Sequence, residues 1–285
     1  MAGILYVVAT PIGNLEDVTL RALRILREVS LIAAEDTRRT ARLLQHYSIS
    51  TRTTSLHEHN EHLRTRQLVE RLQTGDSIAL VSDAGTPLVS DPGHELVRAA
   101  REAGIRIEPV PGASAVMAAL AGSGWGAGGF TFLGFPPTRS KDRKLWFARL
   151  VDIGHLTVMF EAPHRIRKTL AELASTFGEV HVIAVAREMT KAHEELVIGP
   201  ITQMLVKFSE PRGEFTVLIP PLPSPEQTAE AIPSAEELAT ELGSLIETGA
   251  ENRREALRIL SERHRVPVNE LYRLLRQADS DGHKT

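Results

Sequence analysis

The chain has 285 residues, of which 42% are hydrophobic and 24% are charged, so we expect a globular protein of about two domains with a sizeable core. It contains no cysteine, which excludes a disulfide framework and a thiolate metal site, and it has no apolar run of transmembrane length. Its net charge of −3 at pH 7 argues mildly against a nucleic-acid partner, because proteins that bind DNA or RNA are often basic overall.

Strand-like and helix-like segments alternate through the first part of the chain. The opening apolar run lacks the basic leader and the length of a signal peptide, so we interpret it as a first strand and expect a cytoplasmic protein. The pattern predicts strands at 4–9, 31–34, 77–81 and 105–110, and helices at 18–29, 63–72, 94–103 and 114–121. Repeated strand–helix units are typical of a largely parallel sheet with helices on both faces.

A glycine-rich segment at 121–129 ends this first block. Gly124, Gly126 and Gly129 match the spacing of a dinucleotide-binding fingerprint, but they follow a predicted helix and precede a predicted strand. The fingerprint must follow a strand and open a helix, so we interpret the segment as an interdomain hinge. The second α/β block has predicted strands at 130–133, 156–160, 180–186, 195–198 and 215–219, and helices near 141–151, 165–177 and 201–208.

The last part of the chain changes composition. Five prolines and five acidic residues, without a basic one, lie between 220 and 241, as is typical of a linker. The residues after it predict short amphipathic helices around "RVPV", a helix-turn-helix-like unit with seven Arg against four Glu between 251 and 276. We therefore expect an N-terminal α/β domain at 1–122, a second at 123–220, a linker at 221–234 and a helical module at 235–285.

Four turns in the first block carry the clearest functional signal. "ATPIGN", "AEDTRRT", "SDAGTPLVSDPG" and "PGASA" each follow a predicted strand. The carboxyl ends of parallel strands meet at one edge, where open α/β sheets bind ligands, so the turns predict a ligand cleft. The phosphate-binding loop, the zinc-protease motif and the serine-hydrolase motif are all missing.

A histidine cluster offers a different possibility. His57, His59 and His62 lie together in "LHEHNEH" and could bind a metal, contact a substrate or serve a structural role. A polar loop before a helix explains them without a ligand, and we predict no metal site.

The chain resembles the tetrapyrrole methylase superfamily, the class III S-adenosylmethionine methyltransferases. More narrowly, the four turns together with "SLHEHNE", "FLGFPP", "FEAPHRI" and "AREMTKAHEE" resemble the small-subunit ribosomal RNA methyltransferase I family. The resemblance runs from residue 5 to about 219. It implies two α/β domains with a cofactor cleft between them, and methylation of the ribose 2′-hydroxyl of a cytidine in the decoding region of 16S ribosomal RNA.

The resemblance also implies partners and site residues. S-adenosylmethionine is the expected cofactor, small-subunit ribosomal RNA or the assembled subunit the expected partner, and a homodimer the expected assembly, with no membrane. The implied cofactor contacts are Ile12, Gly13, Ala84, Gly85, Thr86, Val89, Ser114, Ala115, Glu161 and Met189. For Thr86, Ser114 and Ala115, turn formation and helix capping are the simpler alternative.

Methyl transfer to a ribose hydroxyl requires alignment of the reactants and a group that takes the proton. Glu35, Asp36, Asp83, Glu161 with His164, and Arg187 with Glu188 are the candidates, and we choose Asp36 and His164 as catalytic residues. Phosphate or ribose contacts are expected from Arg38, Arg165, Arg187, Lys191, Arg273 and Arg276.

Residues 138–149 offer a further RNA contact, with five basic residues around Trp146 and Phe147, although both aromatics could instead face the core. Two other functions remain open at this point: C-methylation of a tetrapyrrole, and a noncatalytic ribosome-assembly protein that binds RNA.

Overall fold

The computed structural model describes residues 2–222, 235–248, 252–264, 268 and 271–275. The chain divides into two compact units, Met1–Pro221 and Leu222–Thr285. No described helix combines the length and the apolar character needed to cross a membrane.

The first sheet of the larger unit is entirely parallel. Its strands are β1 (Ile4–Val8), β2 (Leu31–Ala34), β3 (Thr53–Ser55), β4 (Ile78–Val81) and β5 (Arg106–Val110), in the order β3-β2-β4-β1-β5. Helices α1 (Leu20–Glu28), α2 (Thr37–His46), α3 (Glu61–Gln73) and α4 (His94–Glu102) connect them. Side chains of β2 alternate between two cores, with Ile32 and Ala34 on the α1–α2 side and Leu31 and Ala33 on the α3–α4 side. Burial on both faces explains why this strand is apolar throughout.

The second sheet is mixed. Its strands are β6 (Phe130–Phe132), β7 (Leu156–Glu161), β8 (Val182–Arg187), β9 (Glu195–Pro200) and β10 (Phe215–Ile219), in the order β6-β7-β10-β8-β9. Among these described strands, β6 and β7 pair in parallel, and the other pairs are antiparallel. Helices α6 (Ser140–Leu150), α7 (Pro163–Phe177) and α8 (Ile201–Lys207) cover one face.

The other face of the second sheet is covered by a helix from the first block. Helix α5 (Ala115–Ser123) follows β5, yet Val116, Ala119 and Leu120 pack against Val158 and Leu218 of the second sheet. Gly124 ends this helix in the left-handed conformation. The helix that follows the last strand of the first sheet is therefore part of the apolar core of the second sheet.

Two elements of the first block were not predicted from the sequence. Helix α2 begins directly after "AED", where Asp36 caps it by accepting a hydrogen bond from the Arg38 backbone N–H at 2.8 Å. Strand β3 has three residues and no clear alternation of apolar and polar side chains.

In the second block, Phe147 is buried and Trp146 packs against the same core, so these two rings serve the fold, which was one of the two expected possibilities.

The smaller unit is helical where it is described. Helices α9 (Ala235–Thr248) and α10 (Arg253–His264), with helical residues at 271–275, share a core of leucines and one alanine, and His264 pairs with Glu241 at 2.7 Å. The predicted turn at "RVPV" lies largely outside the described residues, and the helix-turn-helix assignment stays a prediction. Arg273 lies exposed on the last helical segment, and Arg276 lies outside the described residues.

Candidate active site

The turns after β1 and β4 are joined by a pair of backbone hydrogen bonds. The Thr10 N–H donates to the Gly85 carbonyl at 2.9 Å, and the Gly85 N–H donates to the Thr10 carbonyl at 3.0 Å. Gly85 has φ +77°, a conformation that side chains with a Cβ rarely adopt. The two turns therefore form one fixed rim at the carboxyl edge of the first sheet.

The rest of the 82–93 loop is held in an unusual conformation. Leu88 and Ser90 both have positive φ, at 74° and 72°. One Glu61 oxygen accepts the backbone N–H groups of Gly93 and Glu95 at 2.9 and 2.8 Å, which caps the start of α4. Each non-glycine residue held at positive φ costs about 1–3 kcal/mol of folding free energy, and such strained conformations are concentrated at ligand sites.

A cavity of about 360 Å³ opens over this rim, between the two sheets. The second sheet contributes Phe160 and Thr216, and the loop after β6 contributes Phe135. Eight of the ten predicted cofactor contacts line it: Ile12, Ala84, Gly85, Thr86, Val89, Ser114, Ala115 and Glu161. A cavity of this size, which combines apolar surface with polar and charged side chains, is typical of a small-molecule or cofactor site.

The other two predicted contacts lie beside the cavity. A Cβ on Gly13 would lie 2.3 Å from Lys191 Cγ and 3.0 Å from the Met189 carbonyl oxygen, so Gly13 packs directly against the "REMT" segment. The Met189 side chain packs on the α5 core. Asn14 adds a hydrogen bond from its N–H to Thr190 Oγ1 at 3.1 Å. Both predicted residues lie where the first turn contacts the second half of the unit.

Three carboxylates line the cavity close to one another: Glu35, Asp83 and Asp91. Burial raises the pKa of Asp91 to about 6, and the charges of Glu35 and Asp83 act in the same direction. Burial also raises the pKa of Glu35, although its hydrogen bond from the Asp83 N–H, 3.2 Å long, partly offsets this. The site therefore holds two acids whose pKa is shifted toward neutrality, as acid–base groups require. Asp91 was missed as a candidate although it lies within "SDPG".

The two predicted catalytic residues lie elsewhere. The Asp36 carboxylate accepts three hydrogen bonds from Arg38, and these hold the pKa of Asp36 down at about 2. It caps α2 and does not line the cavity. His164 lies exposed on the first turn of α7, next to Pro163, which does line the cavity. The Arg38 side chain is 90% exposed, and its guanidinium group forms an ion pair with Asp36.

Glu161 lies at the centre of a buried charge network. Its carboxylate lies 3.2 Å from Arg165 Nε and 3.7 Å from an Arg143 nitrogen, and it accepts a hydrogen bond from Thr169. Both arginines donate to the Pro137 carbonyl at 3.2 Å, on the loop that carries Phe135. The network therefore fixes one wall of the cavity, and Arg165, predicted to bind phosphate, is used within it. Arg143 was not identified from the sequence, because nothing in a basic helix marks one arginine as buried.

The remaining predicted cations of the larger unit also have internal partners. Arg187 lies 2.7 Å from Glu195, and Lys191 bridges Glu188 and Glu214 at 2.8 and 3.0 Å. Burial would lower the pKa of Lys191, but the two carboxylates outweigh it and raise the pKa.

Of the three clustered histidines, His57 takes part in the local fold near this rim. His57 and Asn60 exchange hydrogen bonds in the turn before α3, with the Asn60 side chain accepting from the His57 N–H at 2.9 Å. His62 is fully exposed and lies 3.6 Å from Glu95. Across the described part of the chain, no group of three or more His, Cys, Asp or Glu side chains is arranged to hold a metal.

Comparison with known proteins places this geometry in a family. Residues 4–205 match the family model of tetrapyrrole (corrin/porphyrin) methylases. The chain belongs to the tetrapyrrole methylase family. It is 45% identical, over 98% of its length and the whole of the relative, to ribosomal RNA small subunit methyltransferase I of Synechocystis sp.. A protein of the same name from Micromonospora olivasterospora is 43% identical over 97% of this chain and 88% of its own length. The predicted membership of this chain in the methyltransferase I group of the tetrapyrrole methylases is thus confirmed.

Two solved structures share the fold at low sequence identity. Uroporphyrin-III-C-methyltransferase of Thermus thermophilus superposes with a TM-score of 0.54 at 21% identity, over 76% of this chain and 94% of its own. A diphthine synthase gives a TM-score of 0.62 at 16% identity, over 77% and 90%. These matches confirm the predicted α/β fold, while the mixed second sheet adds a detail that the sequence pattern did not show.

S-adenosylmethionine is the cofactor of this methyltransferase, and the cavity fits it. Gly85 leaves room where a Cβ would lie 3.4 Å from Ile12 Cγ2 and 3.7 Å from the Ala113 carbonyl oxygen. Val89, Phe135 and Phe160 offer apolar surface for a flat ring, and the neighbouring carboxylates suit a ligand that carries positive charge. Which of these residues contact the cofactor stays a prediction.

Proposed function

We propose that this tetrapyrrole methylase transfers a methyl group to the ribose 2′-hydroxyl of a cytidine in the decoding region of small-subunit ribosomal RNA. The observation that carries the proposal is the identity of 45% with a methyltransferase I along the whole of that relative. A homodimer in the cytoplasm, acting on RNA or on the assembled subunit, is part of the proposal through the same resemblance.

The charge distribution on α6 and α7 supports an RNA substrate. Exposed cations follow one another along both helices, and none of them forms an ion pair with another described residue: Arg139, Lys141, Lys144, Arg149, Arg167 and Lys168. The two helices are joined through the hydrogen bond from Arg143 Nε to Glu172, 2.6 Å long. Unpaired cations on adjoining helices provide the local positive charge that a phosphate backbone requires, in spite of the acidic total.

The bound cofactor supplies an activated methyl group on its sulfonium. The residues of the chain must then hold the ribose hydroxyl in line, for which alignment is worth about 7–11 kcal/mol. They must also accept the hydroxyl proton. An acid with a pKa of about 2, as Asp36 has, is a weak proton acceptor at neutral pH. We propose that Asp91 accepts the proton, with Glu35 as the alternative, because both line the cavity and burial raises the pKa of each.

The test compares ribosomal RNA from cells with and without the gene. Mass mapping should show one cytidine lighter by a methyl group in the deletion strain, and alkaline hydrolysis should leave its neighbouring phosphodiester uncleaved when the methyl is present. Normal cleavage at the modified nucleotide would place the methyl on the base and contradict the proposal.

Purified protein distinguishes the alternatives. Labelled S-adenosylmethionine should methylate small subunits or their RNA from the deletion strain, and it should not methylate a porphyrinoid. Transfer to the porphyrinoid alone would indicate a tetrapyrrole enzyme. Binding of cofactor and RNA without transfer would indicate an assembly protein.

A further inference from the structure

A second groove, of about 300 Å³, adjoins the cofactor cavity on the side of α2. It lies between the 10–15 turn and α2, with Lys191 on the facing segment. The two spaces share five lining residues: Ile12, Arg39, Asp83, Ala84 and Glu214. A ligand in the groove would therefore meet a ligand in the cavity across a common wall.

The cations of the groove are concentrated on α2. Arg39 and Arg42 are three residues apart, so they lie on one face of the helix. The Arg42 side chain is exposed and has no hydrogen-bond or ion-pair partner among the residues that the structure describes. Arg39 is 60% exposed and lies 3.4 Å from Asp83. Lys191 is already neutralised by two carboxylates, so α2 supplies the charge available to an anion.

The floor and the opposite rim have different chemistry. Pro11, Leu15 and Leu43 provide apolar surface. Glu214, with its side chain 69% exposed, is a hydrogen-bond acceptor at the rim. A cytidine nucleotide has parts that match these three surfaces. Its phosphate matches the arginines of α2, and its ribose and base match the apolar floor. Its exocyclic N4 amino group matches Glu214, since carboxylates accept hydrogen bonds from that group.

We propose that this groove binds the target nucleotide, with Arg42 and Arg39 holding its phosphate. The inference rests on the proposed RNA substrate and adds where that substrate lies. The proposal also gives different roles to the two neighbouring arginines of "AEDTRRT". Arg38 is used to cap α2 through Asp36, whereas Arg39 reaches both spaces. A nucleotide held there would present its ribose at the shared wall, next to the cofactor.

The test is Arg42→Glu, with Arg101→Glu as its matched control. The Arg101 side chain is likewise exposed on a helix of the first block, without a partner among the described residues, and its replacement changes the net charge equally. For Arg42→Glu we expect KM for small subunits to rise about tenfold or more, with kcat within about twofold. The slope of log affinity against log salt should fall by about 0.7, as for one lost single-strand phosphate contact. Cofactor affinity and melting temperature should match the control.

Two measurements keep the outcomes separate. Affinity for a labelled RNA fragment that spans the site is measured by fluorescence anisotropy, and methyl transfer is measured on small subunits. Equal RNA affinity and equal salt slope in the two variants would overturn the groove assignment. Failure of the wild-type protein to methylate RNA would instead overturn the proposed function, and the anisotropy comparison would still decide whether the groove binds nucleic acid.

Discussion

Replacement of Asp91 by Asn tests whether the cavity carboxylates cost stability. The pKa of Asp91 rises from its ordinary value of 3.8 to about 6 because the folded protein buries the charge beside Glu35 and Asp83. A tenfold change in proton affinity corresponds to about 1.4 kcal/mol, so a fully shielded group would cost about 3 kcal/mol when ionised. Asp91 is only half-buried, and solvent screening reduces the expected gain from Asp91→Asn to about 1 kcal/mol at pH 8.

The direction in which stability changes with pH follows from proton binding to Asp91. Between pH 3.8 and about 6 the folded state holds a proton on Asp91 that the unfolded state has released, so stability falls as pH rises through this range. Above about pH 6 the whole penalty is present, and below 3.8 it is absent. Asp91→Asn should therefore raise the melting temperature by about 2–4 °C at pH 8. At pH 4 it should have little effect.

Asp36→Asn is the matched control of opposite sign. Hydrogen bonds from Arg38 hold the pKa of Asp36 at about 2, so its ionised form stabilises the fold above pH 3.8, and this contribution is lost only as pH falls through about 2. Asn still caps a helix. Asp36→Asn should therefore lower stability at both pH 4 and pH 8.

A gain from Asp91→Asn of the same size at both pH values, or no gain at pH 8, would refute the electrostatic account. If Asp91 accepts the ribose proton, kcat of this variant at saturating S-adenosylmethionine should also fall at least tenfold, whatever the change in its cofactor affinity.

Three further changes test other parts of the molecule. Gly85→Val should weaken cofactor affinity at least tenfold in calorimetry, whereas Gly104→Val, with similar φ but open space around it, should lose comparable stability and keep the affinity. Glu161→Gln should cost about 3 kcal/mol or more in urea denaturation because it removes the fully buried carboxylate that pairs with Arg165 and lies near Arg143, and Glu172→Gln should cost less because Glu172 is partly exposed. A chain that ends at residue 222 should bind cofactor like the full protein but bind small subunits more weakly, with a smaller salt slope, and equal slopes would contradict an RNA role for the helical unit.

The sequence predicted the rim of the first sheet because two local signals agree there. A strand that is buried on both faces is apolar throughout, as Leu31–Ala34 and Ile78–Val81 are, and the turn that follows needs glycine, proline or a carboxylate. Parallel pairing then places all such turns at one edge. Seven of the cofactor contacts that the family resemblance implied lie in these turns and line the cavity, whereas the eighth, Glu161, ends a strand of the second sheet.

The parts that the sequence did not predict depend on partners distant in the chain. Helix α5 has an almost wholly apolar sequence, which does not say which sheet it covers, and it covers the second. The antiparallel pairing of β10 with β7 joins Phe215 to Glu161 across helices α7 and α8, and no local pattern encodes it. The roles of Asp36 and Asp91 differ through burial and neighbours, since both are aspartates in polar turns.

The net charge of the chain argued against an RNA partner because a sum over all residues does not describe how charge is distributed over the surface. Many carboxylates of the described residues are used locally: Glu108 pairs with Arg21 and Arg106, Glu61 caps a helix, and others line the cavity. None of these uses reduces the charge of the exposed cations on α6 and α7 or of Arg42 on α2, which have no carboxylate partner among the described residues. Phosphate binding is decided within a screening length of about 8 Å at physiological salt, so local unpaired cations outweigh a distant acidic excess. A chain with a net charge of −3 can therefore present a surface that attracts RNA, and we propose that the acids at its cavity serve the methyl transfer.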